Sequence, residues 1–368
     1  MKDMEYMELA LELAEKGCGY VNPNPMVGAV IVKNGAIIGS GYHENYGELH
    51  AERNAINSCI APLDGATMYV TLEPCCHYGK TPPCTEAIIE SGIKRVIVGS
   101  LDPNSLVAGK GIEALRNSNI EVATGLMDIE NRKLNHIFFH YMKTGKPYVV
   151  MKYAMTLDGK TATFSGKSKW ITGEMAREHV HQSRHKYSGI MVGVNTVIMD
   201  NPMLTCRIPR GRNGTRIVCD TNLRIPFDSK IIQTAREIPT FIATSSQEMD
   251  KISKLLGMGC KVIQVPKKDG HIDLNVLMIK LGEEKIDSIL LEGGSALNFS
   301  GMKSGIVNKV EAYISPKIFG GVAANSPVGG IGIENPDNAF KLVRKNMKIF
   351  GEDILLEYEV INNVYRDS

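Results

Sequence analysis

Four residues could assemble a hydrolytic metal site: His50, Glu52, Cys75 and Cys84. A neutral imidazole and two thiolates hold Zn²⁺ and leave its fourth position for water, whose pKa the metal lowers to about 7. A carboxylate two residues after the histidine stays free to move protons, and the chemistry would be hydrolytic deamination of a base. The general pattern for such sites is H-x-E…P-C-x-x-C. Here His50-Ala51-Glu52 and Pro74-Cys75 are present, but eight residues separate Cys75 from Cys84. Cys76 and His77 adjoin Cys75 and are ligands by type. Cys75 is favoured because it directly follows Pro74. Cys84 is favoured because it precedes a helical pattern, Thr85–Ser91, and a helix N-terminus stabilises a thiolate. The competing arrangement is a closed structural zinc site with four ligands drawn from His50, Cys75, Cys76, His77 and Cys84, but such a site has no need of Glu52.

These residues need elements to carry them. Met7, Ala10, Leu11 and Ala14 recur at helical spacing over Met4–Lys16, and Gly17 and Gly19 stop that helix. Val27–Val32 and Ala36–Gly41 read as strands joined by the two-residue turn Asn34-Gly35. His50–Cys59 reads as a helix with His50 in its first turn, and Thr67–Leu72 as a strand delivering Pro74 and Cys75. Arg95–Gly99, Gly111–Asn117 and Ile120–Ala123 continue as strand, helix and strand. This order predicts a mixed sheet covered by helices.

At 368 residues, with 43% hydrophobic and 22% charged residues, the chain reads as a soluble globular protein of two or three domains. A net charge of +2 gives no footprint for nucleic acid or an anionic membrane. The eight cysteines are sparse and unevenly clustered, unlike a disulfide framework. The charged start Met1-Lys2-Asp3-Met4-Glu5 does not resemble a signal segment, and no apolar run reaches membrane-spanning length. The expectation is a reduced, cytoplasmic protein.

Several strings extend the first motif: Asn22-Pro23-Asn24-Pro25-Met26-Val27-Gly28-Ala29-Val30, Gly41-Tyr42-His43, Glu73-Pro74-Cys75-Cys76-His77, Thr81-Pro82-Pro83-Cys84 and Asp102-Pro103-Asn104. Together they resemble the bacterial bifunctional deaminase–reductases of riboflavin biosynthesis, the RibD family. The long interval between the two cysteines is normal in that family, while Ser105 stands where the family is expected to carry a proline. The resemblance implies a cytidine-deaminase-like domain over residues 1–145. It implies a diaminopyrimidinone substrate bearing a ribosylamino 5′-phosphate, with Asn24, His43, His77, Lys80, Asp102 and Asn104 as its contacts. Asn24 offers both hydrogen-bonding senses to a base edge, and Lys80 a point charge to phosphate.

Polar, basic residues 131–146 end in Thr144-Gly145-Lys146-Pro147, and a boundary near residue 145 is expected there. Beyond it strands (Tyr148–Met155, Gly189–Val194, Thr215–Cys219, Thr240–Thr244, Lys261–Val265, Ser288–Glu292, Val310–Ile314) alternate with helices (Gly173–Tyr187, Gln247–Gly257, Leu274–Lys285, Ala296–Lys303). That alternation predicts an α/β sheet with ligands at strand C-terminal ends. Neither a dinucleotide fingerprint nor a Walker motif is complete. Glu292-Gly293-Gly294-Ser295, at a strand end before a helix, could still admit a pyrophosphate. Lys152–Lys160, Trp170-Ile171-Thr172-Gly173, Gly193–Val197, Asp200–Arg207 and Glu292-Gly293-Gly294 resemble the reductase half of the same family.

That resemblance implies a dihydrofolate-reductase-like α/β domain over residues 146–368 that uses NADPH. Its implied cofactor contacts are Ala154, Trp170, Thr196, Asp200, Thr221 and the turn Gly294, Ser295, Ala296, Leu297, Asn298, Phe299 and Ser300. Ser168, Arg184, Leu204, Arg207 and Glu292 would meet the sugar phosphate, the two arginines as forked donors. Lys152 and Glu292 are candidates for proton movement during hydride transfer, with neither singled out. The expected partners are pyrimidine ribosyl phosphates, with no nucleic acid and no membrane, and the chain is expected to be a homo-oligomer. The rival readings are a nucleic-acid base deaminase with a C-terminal binding module, and a zinc-stabilised regulatory domain without catalysis.

Overall fold

A computed structural model describes residues 3–79, 82–104 and 108–361. It divides into two compact units, Met1–Gly145 and Lys146–Ser368.

The first unit comprises α1 (Asp3–Glu15), β1 (Gly28–Lys33), β2 (Ala36–Tyr42), α2 (Ala51–Asn57), β3 (Thr67–Leu72), α3 (Cys84–Glu90), β4 (Arg95–Ser100), α4 (Lys110–Asn117), β5 (Glu121–Thr124), α5 (Asp128–Leu134) and α6 (His136–Thr144). The sheet order is β2-β1-β3-β4-β5. β1 pairs antiparallel with β2 and β3, and β3, β4 and β5 run parallel. Alternate residues of the central strands face two apolar layers, as the period of a strand requires. Ala29, Ile31, Met68, Val70, Val96 and Val98 pack with Ala51, Ala55, Ile88 and Leu115. Val30, Val32, Tyr69 and Ile97 face the opposite way, onto Tyr6, Met7 and Ala10 of α1. A Cβ on Gly28 would stand 1.9 Å from the Ala10 carbonyl oxygen, so α1 can lie this close to β1 only because Gly28 has no side chain.

The polar stretch expected to be a junction is helical, as α5 and α6. Its buried asparagines work as internal hydrogen-bonding groups. Asn131 Nδ2 donates to Met127 O (2.8 Å), and Asn135 grips the Met26 backbone through Oδ1 (2.8 Å) and Nδ2 (2.9 Å).

The second unit carries β6 (Tyr148–Thr156), α7 (Glu174–Lys186), β7 (Gly189–Gly193), α8 (Val194–Asp200), β8 (Thr215–Cys219), α9 (Lys230–Gln233), β9 (Thr240–Thr244), α10 (Met249–Gly257) and β10 (Lys261–Gln264). A small hairpin, β11 (Lys267–Lys268) and β12 (His271–Ile272), precedes α11 (Leu274–Glu283), β13 (Ser288–Leu291), α12 (Ser295–Lys303), β14 (Val307–Ser315), β15 (Leu342–Phe350) and β16 (Asp353–Val360). The large sheet has the order β10-β9-β8-β7-β13-β6-β14-β16-β15. It is parallel from β10 to β14 and antiparallel across β14, β16 and β15.

Met151, Met191, Ile217 and Leu291 pack with α11, and Ile190, Val192, Val218 and Ile242 pack with α8, α9 and α10. Helix α8 and strands β15 and β16 lie outside the elements expected from sequence. α8 follows directly where strand β7 was expected to end, and its β-branched residues continue the strand's composition. It is helical because Val194 and Val197, three apart, share one buried face.

Candidate metal centre and reductase cleft

The metal centre forms where three element ends converge. His50 occupies the N-cap of α2 with extended backbone (φ −77°, ψ 165°), which puts Glu52 inside the first turn. Cys75 follows the end of β3, and Cys84 is the first residue of α3. His50 Nδ1 lies 3.5 Å from Cys75 Sγ and 3.4 Å from Cys84 Sγ. The three ligand atoms lie within 4.8 Å of one another and form the metal-sized cluster found among the described residues. Cys76 and His77 are outside it.

Zinc bonds of about 2.3 Å to sulfur and about 2.0 Å to nitrogen, at a tetrahedral angle, require a nitrogen–sulfur separation of about 3.5 Å. The donor set therefore fits zinc in identity and in spacing. The Cys75 sulfur is held down toward thiolate by the hydrogen bond from Cys84, with His50 adding to it against burial. The Cys84 thiol is pushed up by the same bond and by burial. Glu52 is 3% exposed, and burial, with the Cys75 charge, pushes its carboxyl up to about 7. A group poised near neutrality suits proton transfer in both directions.

Around this centre, Asn24 and His43 meet. His43 Nδ1–H donates to Leu49 O (3.0 Å), which leaves Nε2 to accept from Asn24 Nδ2 (3.1 Å). The His43 and His50 rings stand edge to face, 5.2 Å apart. On the other side, Asp102 accepts from Asn104 N (2.8 Å) in a local turn. Burial pushes the Asp102 carboxyl up to about 6, opposed by the Asn104 N–H and helped by the Glu73 charge. His77 is exposed and close enough to oppose that shift. Lys80 and Ser105 lie outside the described residues. Sequence reasoning missed Asn135, whose grip on Met26 anchors the segment holding Asn24. A lone asparagine in a polar helix gave no signal.

In the second unit the parallel strands β7 and β13 end close to one another, and β6 runs on beside them from Lys152 to Thr156. Glu292, just past β13, takes the Arg184 guanidinium in two bonds, Nε to Oε1 (2.6 Å) and Nη2 to Oε2 (2.8 Å), and Arg184 Nη1 donates to Thr205 O (3.0 Å). The fork expected to face a phosphate thus faces Glu292, while Arg207 is exposed. Burial raises the Glu292 carboxyl, but the charge and hydrogen bonds of Arg184, with Lys152, outweigh it and hold it down at about 2. Burial lowers the Lys152 ammonium, with Glu292 opposing.

Gly294 is the N-cap of α12, and no side chain caps that end. Open amides at a helix N-terminus suit a pyrophosphate, and the Thr196 hydroxyl lies beside Gly294, 3.4 Å from where a Cβ would stand. Ser295 opens α12, Ala296 is exposed and Leu297 and Ser300 are half-buried. Asn298 and Phe299 turn inward, Asn298 Nδ2 donating to Pro327 O (2.8 Å). Trp170 is exposed, with the Arg177 guanidinium 4.6 Å from its ring. Thr196 and Asp200 lie on α8, Asp200 exposed. Leu204 is buried with φ 51°, Ser168 and Ala154 are half-buried, and Thr221 Oγ1 accepts from Ile272 N (3.3 Å).

Comparison with known proteins places both halves. Residues 1–100 match the cytidine and deoxycytidylate deaminase zinc-binding region, and residues 147–356 match the RibD C-terminal domain. The chain is 56% identical over 362 residues to riboflavin biosynthesis protein RibD of Actinobacillus pleuropneumoniae, covering 98% of this chain and 96% of that protein. It is 38% identical over 373 residues to the RibD of Escherichia coli K12, covering 97% and 99%. Among solved structures it is similar to RibD of Acinetobacter baumannii, with a TM-score of 0.89, 33% identity and coverage of 98% and 99%. It is also similar to a diaminohydroxyphosphoribosylaminopyrimidine deaminase/5-amino-6-(5-phosphoribosylamino)uracil reductase from Thermotoga maritima, with a TM-score of 0.85, 38% identity and coverage of 97% and 98%. The chain belongs to the RibD family, bifunctional riboflavin biosynthesis enzymes that join a zinc-dependent pyrimidine deaminase to an NADPH-dependent reductase.

Proposed function

We propose that residues 1–145 remove an exocyclic amine from 2,5-diamino-6-(5-phosphoribosylamino)pyrimidin-4(3H)-one, and that residues 146–368 then reduce its ribosyl group to ribityl. The observation that carries this reading is the meeting of His50 Nδ1 with two cysteine sulfurs, with a buried Glu52 in the next helical turn that is not part of the ligand cluster. His50, Cys75 and Cys84 would hold zinc, which when bound would supply a water acidic enough to attack the ring carbon. Glu52 would carry one proton of the attacking water to the ring nitrogen and the second, from the hydroxyl so formed, to the amine that leaves as ammonia. Asn24 and His43 hold the pyrimidine edge. Asp102, Asn104 and His77 hold the sugar side, and Lys80 meets the phosphate.

In the reductase half, NADPH when bound would supply the hydride for C1′ of the opened ribosyl group. The α12 N-terminus with Thr196 receives the cofactor's phosphates, and Ala154, Trp170, Asp200 and Thr221 flank it. Asn298 and Phe299 support that turn from inside. Ser168, Leu204 and Arg207 orient the sugar phosphate, while Arg184 fixes the Glu292 carboxylate. Lys152, half-buried and eased toward its neutral form by burial, handles the accompanying proton beside the Glu292 carboxylate, which stays ionised.

The protein acts as a homo-oligomer on small pyrimidine phosphates in the cytoplasm. No helix among the described residues is long and apolar enough to cross a membrane, and all eight cysteines are free thiols. The deciding experiment incubates purified, zinc-loaded protein with the diaminopyrimidinone nucleotide, with and without NADPH, and weighs the products. Without NADPH the expected product is one mass unit heavier, from replacement of NH₂ by OH. With NADPH it gains two hydrogens more. An unchanged substrate mass in both arms would falsify the assignment.

A further inference from the structure

Glu73 stands immediately before Pro74 and Cys75, and its side chain is nearly as inaccessible as that of Glu52, with 4% exposure. It has no ion pair among the described residues. Backbone amides fill both of its oxygens instead. Oε2 accepts from Asp102 N (3.3 Å) and Gly109 N (3.0 Å), and Oε1 accepts from Gly111 N (3.1 Å) and Ile112 N (3.4 Å). Four donors use the whole acceptor capacity of a carboxylate. Helix α4 has no side-chain cap of its own, so Glu73, just past the end of β3, serves its first turn. The approach is close: a Cβ on Gly111 would stand 2.2 Å from the Pro74 carbonyl oxygen.

A buried carboxylate without a cation is an expensive way to fill space, and an apolar side chain would pack there at lower cost. What a carboxylate adds is direction. It ties the backbone of Asp102 and the start of α4 to the strand end that delivers Cys75. Asp102 in turn orders Asn104 by accepting its N–H. We infer that Glu73 is a positioning residue for deamination, setting the Asp102–Asn104 segment at a fixed distance from the metal ligands so that a substrate can engage both at once. This rests on the reading that Asp102 and Asn104 contact the deaminase substrate.

The test uses the full-length, zinc-loaded chain. Glu73→Gln keeps the shape but turns an NH₂ group toward amide donors. The expected result is a rise in deaminase KM of about tenfold with kcat within about twofold. Zinc content and reductase turnover, measured on the same preparation with already deaminated substrate, stay unchanged. Glu73→Asp, which keeps the charge, recovers part of the loss. Asp102→Asn is measured alongside. If Asp102→Asn leaves KM unchanged, the substrate-contact reading fails and the role of Glu73 goes with it. If Asp102→Asn raises KM and Glu73→Gln does not, the inference about Glu73 alone is overturned. Should Glu73→Gln not fold, Glu73→Asp decides. A loss confined to deaminase KM supports positioning, and equal loss of both activities reduces Glu73 to a structural role.

Discussion

Glu52 and Glu292 are both buried carboxylates, and their neighbours drive them in opposite directions. Beside Glu52 stands a cysteine sulfur with thiolate character, and negative charge there adds to the cost of burial. Beside Glu292 stands a guanidinium, which overcomes that cost. The first carboxylate can therefore exchange protons near neutrality, and the second stays ionised as an anchor. Glu52→Gln is expected to lower deaminase turnover by at least about 100-fold while metal analysis still finds zinc, because the ligands are untouched. Loss of zinc together with activity would show that Glu52 helps hold the metal.

For Glu292, the folded value of about 2 lies below the ordinary 4.5. Its contribution to stability is therefore present above pH 4.5 and disappears as pH falls through about 2. That contribution is on the order of 3 kcal/mol. Glu292→Gln leaves Arg184 buried without its counter-charge, so the second unit is expected to lose about 3 kcal/mol at neutral pH and to show a flatter acid limb. Chemical denaturation followed from pH 7 to pH 2 measures both. An acid limb as steep in the variant as in the parent would assign the loss to other carboxylates.

At the scale of elements, the first unit depends on how closely α1 and α4 approach the sheet. Gly28→Ala would force α1 off the Ala10 carbonyl contact, and a cost of about 1–3 kcal/mol is expected in thermal unfolding. An unchanged midpoint would mean that α1 yields freely. Elements with a clean period were legible. Thr67–Leu72, Thr215–Cys219 and Thr240–Thr244 have the same bounds in the structure as in the reading from sequence. β15 was not legible, for an identifiable reason. A register shift between Arg344 and Asn346 breaks its alternation, and its side chains lie in solvent, so no apolar face marks it. α5 and α6 were hidden because Asn131 and Asn135, which are polar, occupy buried positions.

At the scale of the whole chain, β15 leaves a nine-residue strand at the sheet edge with Val343, Met347 and Ile349 at 45%, 55% and 67% exposure. Among the described residues this edge mixes apolar side chains with Arg344, Lys345 and Lys348, and its unpaired backbone is where a second copy would pair in the proposed homo-oligomer. Analytical ultracentrifugation should find the parent chain oligomeric and Ile349→Lys shifted toward monomer; a monomeric parent would remove the proposal.

The sequence by itself determined the family and narrowed the candidate donors to His50, Cys75, Cys84, Cys76 and His77, with Glu52 as the expected proton carrier. These are written in residue type and spacing, which chemistry constrains directly. Only the tertiary structure decided that Cys76 and His77 stand apart from the ligands, that Arg184 is bound to Glu292, and that Glu73 and Asn135 brace the loops around the first site. Those outcomes depend on which strand ends and helix starts come within hydrogen-bond reach of one another, a distance in space that no local pattern along the chain encodes.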